Sequence, residues 1–131
     1  MTTLPSLDQE AFDELYESVC KKTDTVASLY DTFLTNAVRL VDSLQKSDSC
    51  ADREKTLHTL KGSAAMMGAV RVARLAADLQ QTSATMQHDT LQNWIEQIAI
   101  ELDETGRAVD ARLASLGTSR PTQLKPETFR G

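Results

Sequence analysis

Apolar side chains recur at intervals of three and four along most of this chain, the spacing that collects them on one face of an α-helix. Val26, Leu29, Tyr30, Phe33, Ala37, Leu40, Val41 and Leu44 form the longest such run, and Thr23 or Asp24 can cap the helix it predicts. A shorter helix precedes it. Ser6 with Gln9 reads as a capping box, and Leu7, Phe12, Leu15 and Val19 supply the apolar side. The polar Ser47-Asp48-Ser49 ends the second helix and offers caps for a third, in which Leu57, Leu60, Ala64 and Met67 fall on one stripe. Gly68 suits the left-handed residue that closes a helix. A fourth helix runs from Ala69 through Val72, Leu75, Ala76 and Leu79 toward Met86. Asp89 with Gln92 reads as the capping box of a fifth, with Leu91, Trp94, Ile95, Ile98, Leu102, Val109, Leu113 and Leu116 in register and Gly117 and Pro121 marking its end.

No stretch alternates apolar and polar residues with a period of two, so the fold class is all-α. Four long amphipathic helices with short connections favour an antiparallel up-down-up-down four-helix bundle, with the short additional N-terminal helix across one end. Residues 6–117 make up this bundle, and residues 1–5 and 118–131 are expected to be flexible ends. A chain of 131 residues is one domain, too short to carry a kinase or receiver domain beside it.

A formal charge of −5 without a long basic run argues against nucleic acid and against an anionic membrane surface. There is no apolar run of membrane-spanning length and no signal-like N-terminus, which points to a cytoplasmic protein. Cys20 and Cys50 fall in different elements without CxxC spacing and read as two reduced structural thiols.

On the third helix His58 points about 140° away from the centre of the apolar stripe and so faces outward. Its neighbours at three, four and seven residues are Ala51, Glu54, Lys55, Lys61, Gly62 and Ala65, a face of very small side chains with charges interspersed. Gly62 in mid-helix costs about 1 kcal/mol relative to Ala, which suggests that another molecule comes close there. Leu29, Tyr30 and Phe33 of the adjacent helix border this face, with core packing the better reading for at least two of the three. Lys55, Arg71 and Arg74 can frame it with positive charge. His88 reads as a plain surface or capping residue. A metal or oxidase site would need carboxylates and histidines converging inward, and the chain lacks them, so no metal site is predicted. No glycine-rich phosphate loop is present, so no ATP-dependent kinase activity of its own is expected.

The segment Leu57 to Gly68 reads Leu-His-Thr-Leu-Lys-Gly-Ser-Ala-Ala-Met-Met-Gly. A histidine with Lys and Gly at the third and fourth following positions and Gly at the tenth resembles the histidine-phosphotransfer (HPt) family, and His58, Lys61, Gly62 and Gly68 match one for one. The small run Ser63 to Ala65, the Gly68-Ala69 step and Gln80 add to the likeness, which is dense over Leu29 to Gln80. Met66 and the Leu79-Gln80 pair stand where Asn and Leu-Glu are commoner.

This resemblance implies the same bundle and a phosphocarrier that takes a phosphoryl group on His58. Lys61 would stabilise that group and Gln80 would orient the ring. Gly62, Ala65, Lys55, Ala51, Glu54 and Phe33 would form the receiver docking face. The implied partners are response-regulator receiver domains and a hybrid sensor histidine kinase, with Mg²⁺ supplied by the receiver and no cofactor on this chain, which would act as a monomer. A solvent-facing imidazole is mostly neutral at neutral pH and needs no dedicated base, and an ammonium one helical turn on can hold phosphoryl oxygens. The alternative is an HPt-like adaptor module that docks to a kinase or receiver without being phosphorylated.

Overall fold

The computed structural model describes residues 4–122. It contains α1 (Gln9–Ser18), α2 (Thr23–Lys46), α3 (Cys50–Met66), α4 (Val70–Thr82), a single 3-10 turn (Ser83–Thr85) and α5 (His88–Ser115), with no strand among the described residues. Each long helix touches two others in a closed cycle, α2 to α3, α3 to α4, α4 to α5 and α5 back to α2. The predicted periodicities explain why. Val26, Tyr30, Phe33, Ala37, Val41 and Leu44 of α2 all face a shared core with Leu57, Leu60 and Ala64 of α3 and Val72, Ala76 and Leu79 of α4. From α5, Ile95, Ile98, Val109 and Leu113 complete it. Each buried Val, Leu, Ile or Phe among them contributes roughly 1.5–3 kcal/mol to the drive for assembly, and each alanine less. No helix among the described residues is long and apolar enough to cross a membrane.

Three of the helix starts differ from those the sequence suggests. α1 is capped by Asp8, whose side chain accepts from the Glu10 N–H at 3.0 Å, and not by the Ser6–Gln9 box. The Asp8 N–H is itself tied to the Gly68 carbonyl at 2.8 Å, which fixes where the helix can begin. α2 starts from Lys22 without a side-chain cap, so Thr23 is already helical. α5 starts from Gln87, also uncapped, leaving Asp89 inside the first turn where its charge favours the helix dipole. α4 stops at Thr82 short of Met86, because the buried Ser83 opens a 3-10 turn. The Ser49 cap of α3 and the closures at Gly68 (φ +77°) and Gly117 (φ +79°) stand as expected.

α1 lies against α2 and is pinned from α5. Phe12 stacks on Tyr30 with ring centroids 5.2 Å apart, and the Arg112 guanidinium sits 4.5 Å over the Phe12 ring while donating to Gln9 and Asp13, both at 2.7 Å. Beyond Gly117, residues through Thr122 remain attached to the helical body. Arg120 makes a two-pronged contact with Asp110 at 2.6 and 3.1 Å and reaches Asp31 at 3.3 Å, and the Thr122 hydroxyl donates to Asp31 at 2.6 Å. The side-chain bond to Asp110 is the main reason the Arg120 guanidinium holds its proton even more tightly than usual.

Candidate functional site

The site is built on the outer face of α3. Ser49 caps the helix by accepting from the Asp52 N–H at 3.3 Å, and Leu57, Leu60 and Ala64, all fully buried, fix which way the helix is turned. His58, one residue on from Leu57, is thereby exposed in the middle of α3. Neither ring nitrogen has a hydrogen-bond partner among the described residues, so the imidazole is free to accept a new bond. Lys61 is half-buried one helical turn on from His58. Among the described residues no carboxylate pairs with Lys61 or with Lys55, whereas Arg71 is committed to Glu101 (3.3 Å) and the Leu4 carbonyl, and Arg74 to Asp78 (3.7 Å). Two unneutralised ammonium groups therefore flank the histidine.

Ala51, Glu54, Lys55, Gly62 and Ala65 are exposed on the same helix, as the spacing predicts. A Cβ built on Gly62 meets nothing within 4 Å, so this glycine answers no internal packing demand. Gly68 is the opposite case. Its φ is positive, and a Cβ there would come within 2.8 Å of the Ala11 Cβ and 3.3 Å of the Asp8 carbonyl, so the α3–α4 turn needs glycine to let the start of α1 approach.

One expectation changes. Phe33 is only 6% exposed and belongs to the core, because its position on α2 turns under the seam with α3; Leu29, one helical turn earlier and 40% exposed, is the residue left open. Gln80 is half-buried on α4 and makes no hydrogen bond to His58 among the described residues. Tyr30, fully buried, donates its hydroxyl to the Met67 carbonyl at 2.9 Å, and burial, with help from the Asp8 charge and against that of Arg112, pushes its phenol up to about 12. His88 is exposed at the first turn of α5. Met66, at 79%, is the most exposed large apolar side chain among the described residues. Its helical angle, about 80° from His58, carried that information.

A groove of about 790 Å³ runs between α2 and α5, and a second hollow of about 580 Å³ lies at the α2–α3 connection. Neither is lined by His58. Small-molecule sites are concave, whereas this histidine stands on open surface, an arrangement suited to a partner that brings its own pocket. Among the described residues no group of three or more His, Cys, Asp or Glu is placed to hold a metal ion, and Cys20 and Cys50 are free.

Comparison with known proteins bears on what such a surface serves. No curated protein matches the chain. Among solved structures, histidine-containing phosphotransfer protein B from Pseudomonas aeruginosa PAO1 is similar in fold, with a TM-score of 0.74 at 22% sequence identity over 86% of this chain and 98% of that one. The Hpt domain family model matches residues 28–116, a span that takes in most of α2 and the whole of α3, α4 and α5, and with them His58, Lys61 and both motif glycines. With well over half of its length matched, the chain belongs to the Hpt domain family.

Proposed function

We propose that this protein is a histidine-phosphotransfer intermediate of a multistep phosphorelay, carrying a phosphoryl group on His58 between aspartates of receiver domains. The observation that carries the reading is the open imidazole of His58 beside the ammonium of Lys61, which has no carboxylate partner among the described residues, inside the span matched by the family. In the transfer step the lone pair of one ring nitrogen forms the P–N bond while the P–O bond to the aspartyl carboxylate breaks. The bonding electron pair leaves with the carboxylate, and the other ring nitrogen keeps the ring proton. Lys61 holds the phosphoryl oxygens through a charge-assisted contact and balances their charge as they arrive. Both the acyl phosphate and the phosphohistidine are reactive species, so transfer runs in either direction, set by partner concentrations.

In this reading the protein is a cytoplasmic monomer that neither binds nor hydrolyses ATP, and Mg²⁺ belongs to the receiver. Gln80 supports the ring, at most through contacts made when the phosphoryl group is present. Residues 6–117 are the working unit, and the cyclic pairing of α2 to α5 supports an antiparallel up-down-up-down arrangement.

The test is to mix the protein with receiver domains phosphorylated on aspartate and to follow acid-labile label. Transfer to the wild type and none to His58→Gln is expected. Label that persists on His58→Gln would remove the assignment, and docking without any label on the wild type would favour the adaptor reading.

A further inference from the structure

The open lip of the α2/α3 seam carries an apolar pair. On α2, Leu34, Val38 and Asp42 line the groove toward α5, so the opposite edge, with Leu29, Phe33 and Leu40, is the one turned to α3. On α3, Asp52, Lys55 and Thr56 line the hollow shared with Ser43 and Lys46 of α2, which marks the α2-facing edge. Met66 lies three turns along from Lys55 and only about 20° around the helix from it, hence on the same edge. The Tyr30 hydroxyl bonded to the Met67 carbonyl at 2.9 Å brings the Leu29 level of α2 alongside the Met66 level of α3. Phe33 is buried beneath, while Leu29 and Met66 remain 40% and 79% exposed.

From His58 to Met66 is eight residues, about 12 Å along the helix axis. A stable interface covers roughly 800 Å² on each partner, a disc of radius about 16 Å, so a folded partner centred on His58 also covers Met66. Gly62, between them and with open space where its side chain would be, lets that partner lie flat. The charges agree, since Lys55 and Lys61 have no carboxylate partner among the described residues and a phospho-aspartyl pocket is acidic. We infer that Met66, with Leu29 beside it, is a specificity-determining contact for the phosphoryl partner, which lays an apolar side chain over the α2/α3 seam about 12 Å from its phospho-aspartate. This rests on the phosphotransfer reading of His58 and adds to it the chemistry of the surface that the partner must present.

The experiment is single-turnover transfer from a receiver domain of the source organism, phosphorylated with acetyl phosphate, to the full chain across a range of concentrations. Met66→Ser and Leu29→Ser are compared with Val38→Ser, which removes an equally apolar side chain, 59% exposed, from the other edge of α2. Met66→Ser is expected to raise the half-saturating concentration about tenfold with the rate at saturation unchanged. Leu29→Ser should do the same more weakly, and Val38→Ser should leave both alone. Circular dichroism melts check that each variant is folded. An unchanged half-saturating concentration for Met66→Ser, a fall in its rate at saturation, or an equal effect of Val38→Ser would each overturn the inference. Failure of the wild type to take label would instead mark failure of the phosphotransfer reading.

Discussion

Gly62 and Gly68 lie in one short motif, yet substituting them should move stability in opposite directions. At Gly62 the added Cβ meets nothing within 4 Å and the residue is exposed on α3. The change to Ala therefore removes the backbone entropy cost of a mid-helix glycine, about 0.5–1 kcal/mol, and introduces no overlap. With an unfolding entropy of roughly 2.1 cal/mol/K per residue, that gain raises the melting temperature by about 2–4 °C. Gly68→Ala meets a positive φ and a Cβ contact of 2.8 Å, and should lose at least about 1 kcal/mol. Urea and thermal unfolding followed by circular dichroism give both numbers. A loss of stability in Gly62→Ala, or equal behaviour of the two variants, would refute the reasoning, because the space at Gly62 would then not be open. Gly62→Met extends the test to function: the fold should survive, but a long side chain beside His58 should cut transfer by about tenfold or more. A stable Gly62→Met that transfers normally would end the close-approach argument and leave the His58 assignment untouched.

Lys61→Ala should stay folded and slow transfer or shorten the lifetime of the phosphohistidine; unfolding of the variant would show that its half-buried stem is a core element. Tyr30 should make stability fall in alkali: the unfolded phenol ionises near 10 and the folded one near 12, so unfolding releases a proton between those values and about 2 kcal/mol is lost by pH 12. Tyr30→Phe should cost about 1 kcal/mol at neutral pH, through the lost bond to Met67, and flatten that alkaline slope; an unchanged slope would contradict the assignment. Cys20 and Lys21 both hold a left-handed backbone, with φ of 57° and 58°. Cys20→Gly should therefore stabilise by about 1 kcal/mol in the same urea assay, and a destabilised variant would mean the thiol packs where none is seen.

The faces of the helices were legible in the sequence because burial repeats with the helical period: Val26 to Leu44, Leu57 to Ala64 and Leu91 to Leu113 needed nothing else. His58 was legible as an outward residue for the same reason, since its neighbour Leu57 faces in. The caps were harder to read. Ser6, Asp8, Thr23 and Asp89 are each chemically able to cap, and the choice falls to long-range ties such as the Asp8 N–H to Gly68. Phe33 and Leu29 could not be sorted by periodicity, because both lie near the edge of the buried stripe and the closeness of α2 to α3 decides between them. Arg120 sits in a segment whose composition predicts a loose end; its hold on Asp31 and Asp110 joins positions 89 and 10 residues away, a proximity that no local pattern encodes.

The last turn of α3 is held from several sides at once. The Asp8 N–H takes the Gly68 carbonyl, the Tyr30 hydroxyl takes the Met67 carbonyl, and the Ala69 N–H returns to Ala64 at 2.8 Å. A helix bolted at the end nearest Met66, and glued along Leu57 and Leu60, presents a preorganised relief with almost no shape left to choose. In the phosphotransfer reading the ordering cost of association then falls on the other molecule, whose loops conform to a template that does not yield, so how readily a receiver adapts adds to the apolar match at Met66 in setting its affinity.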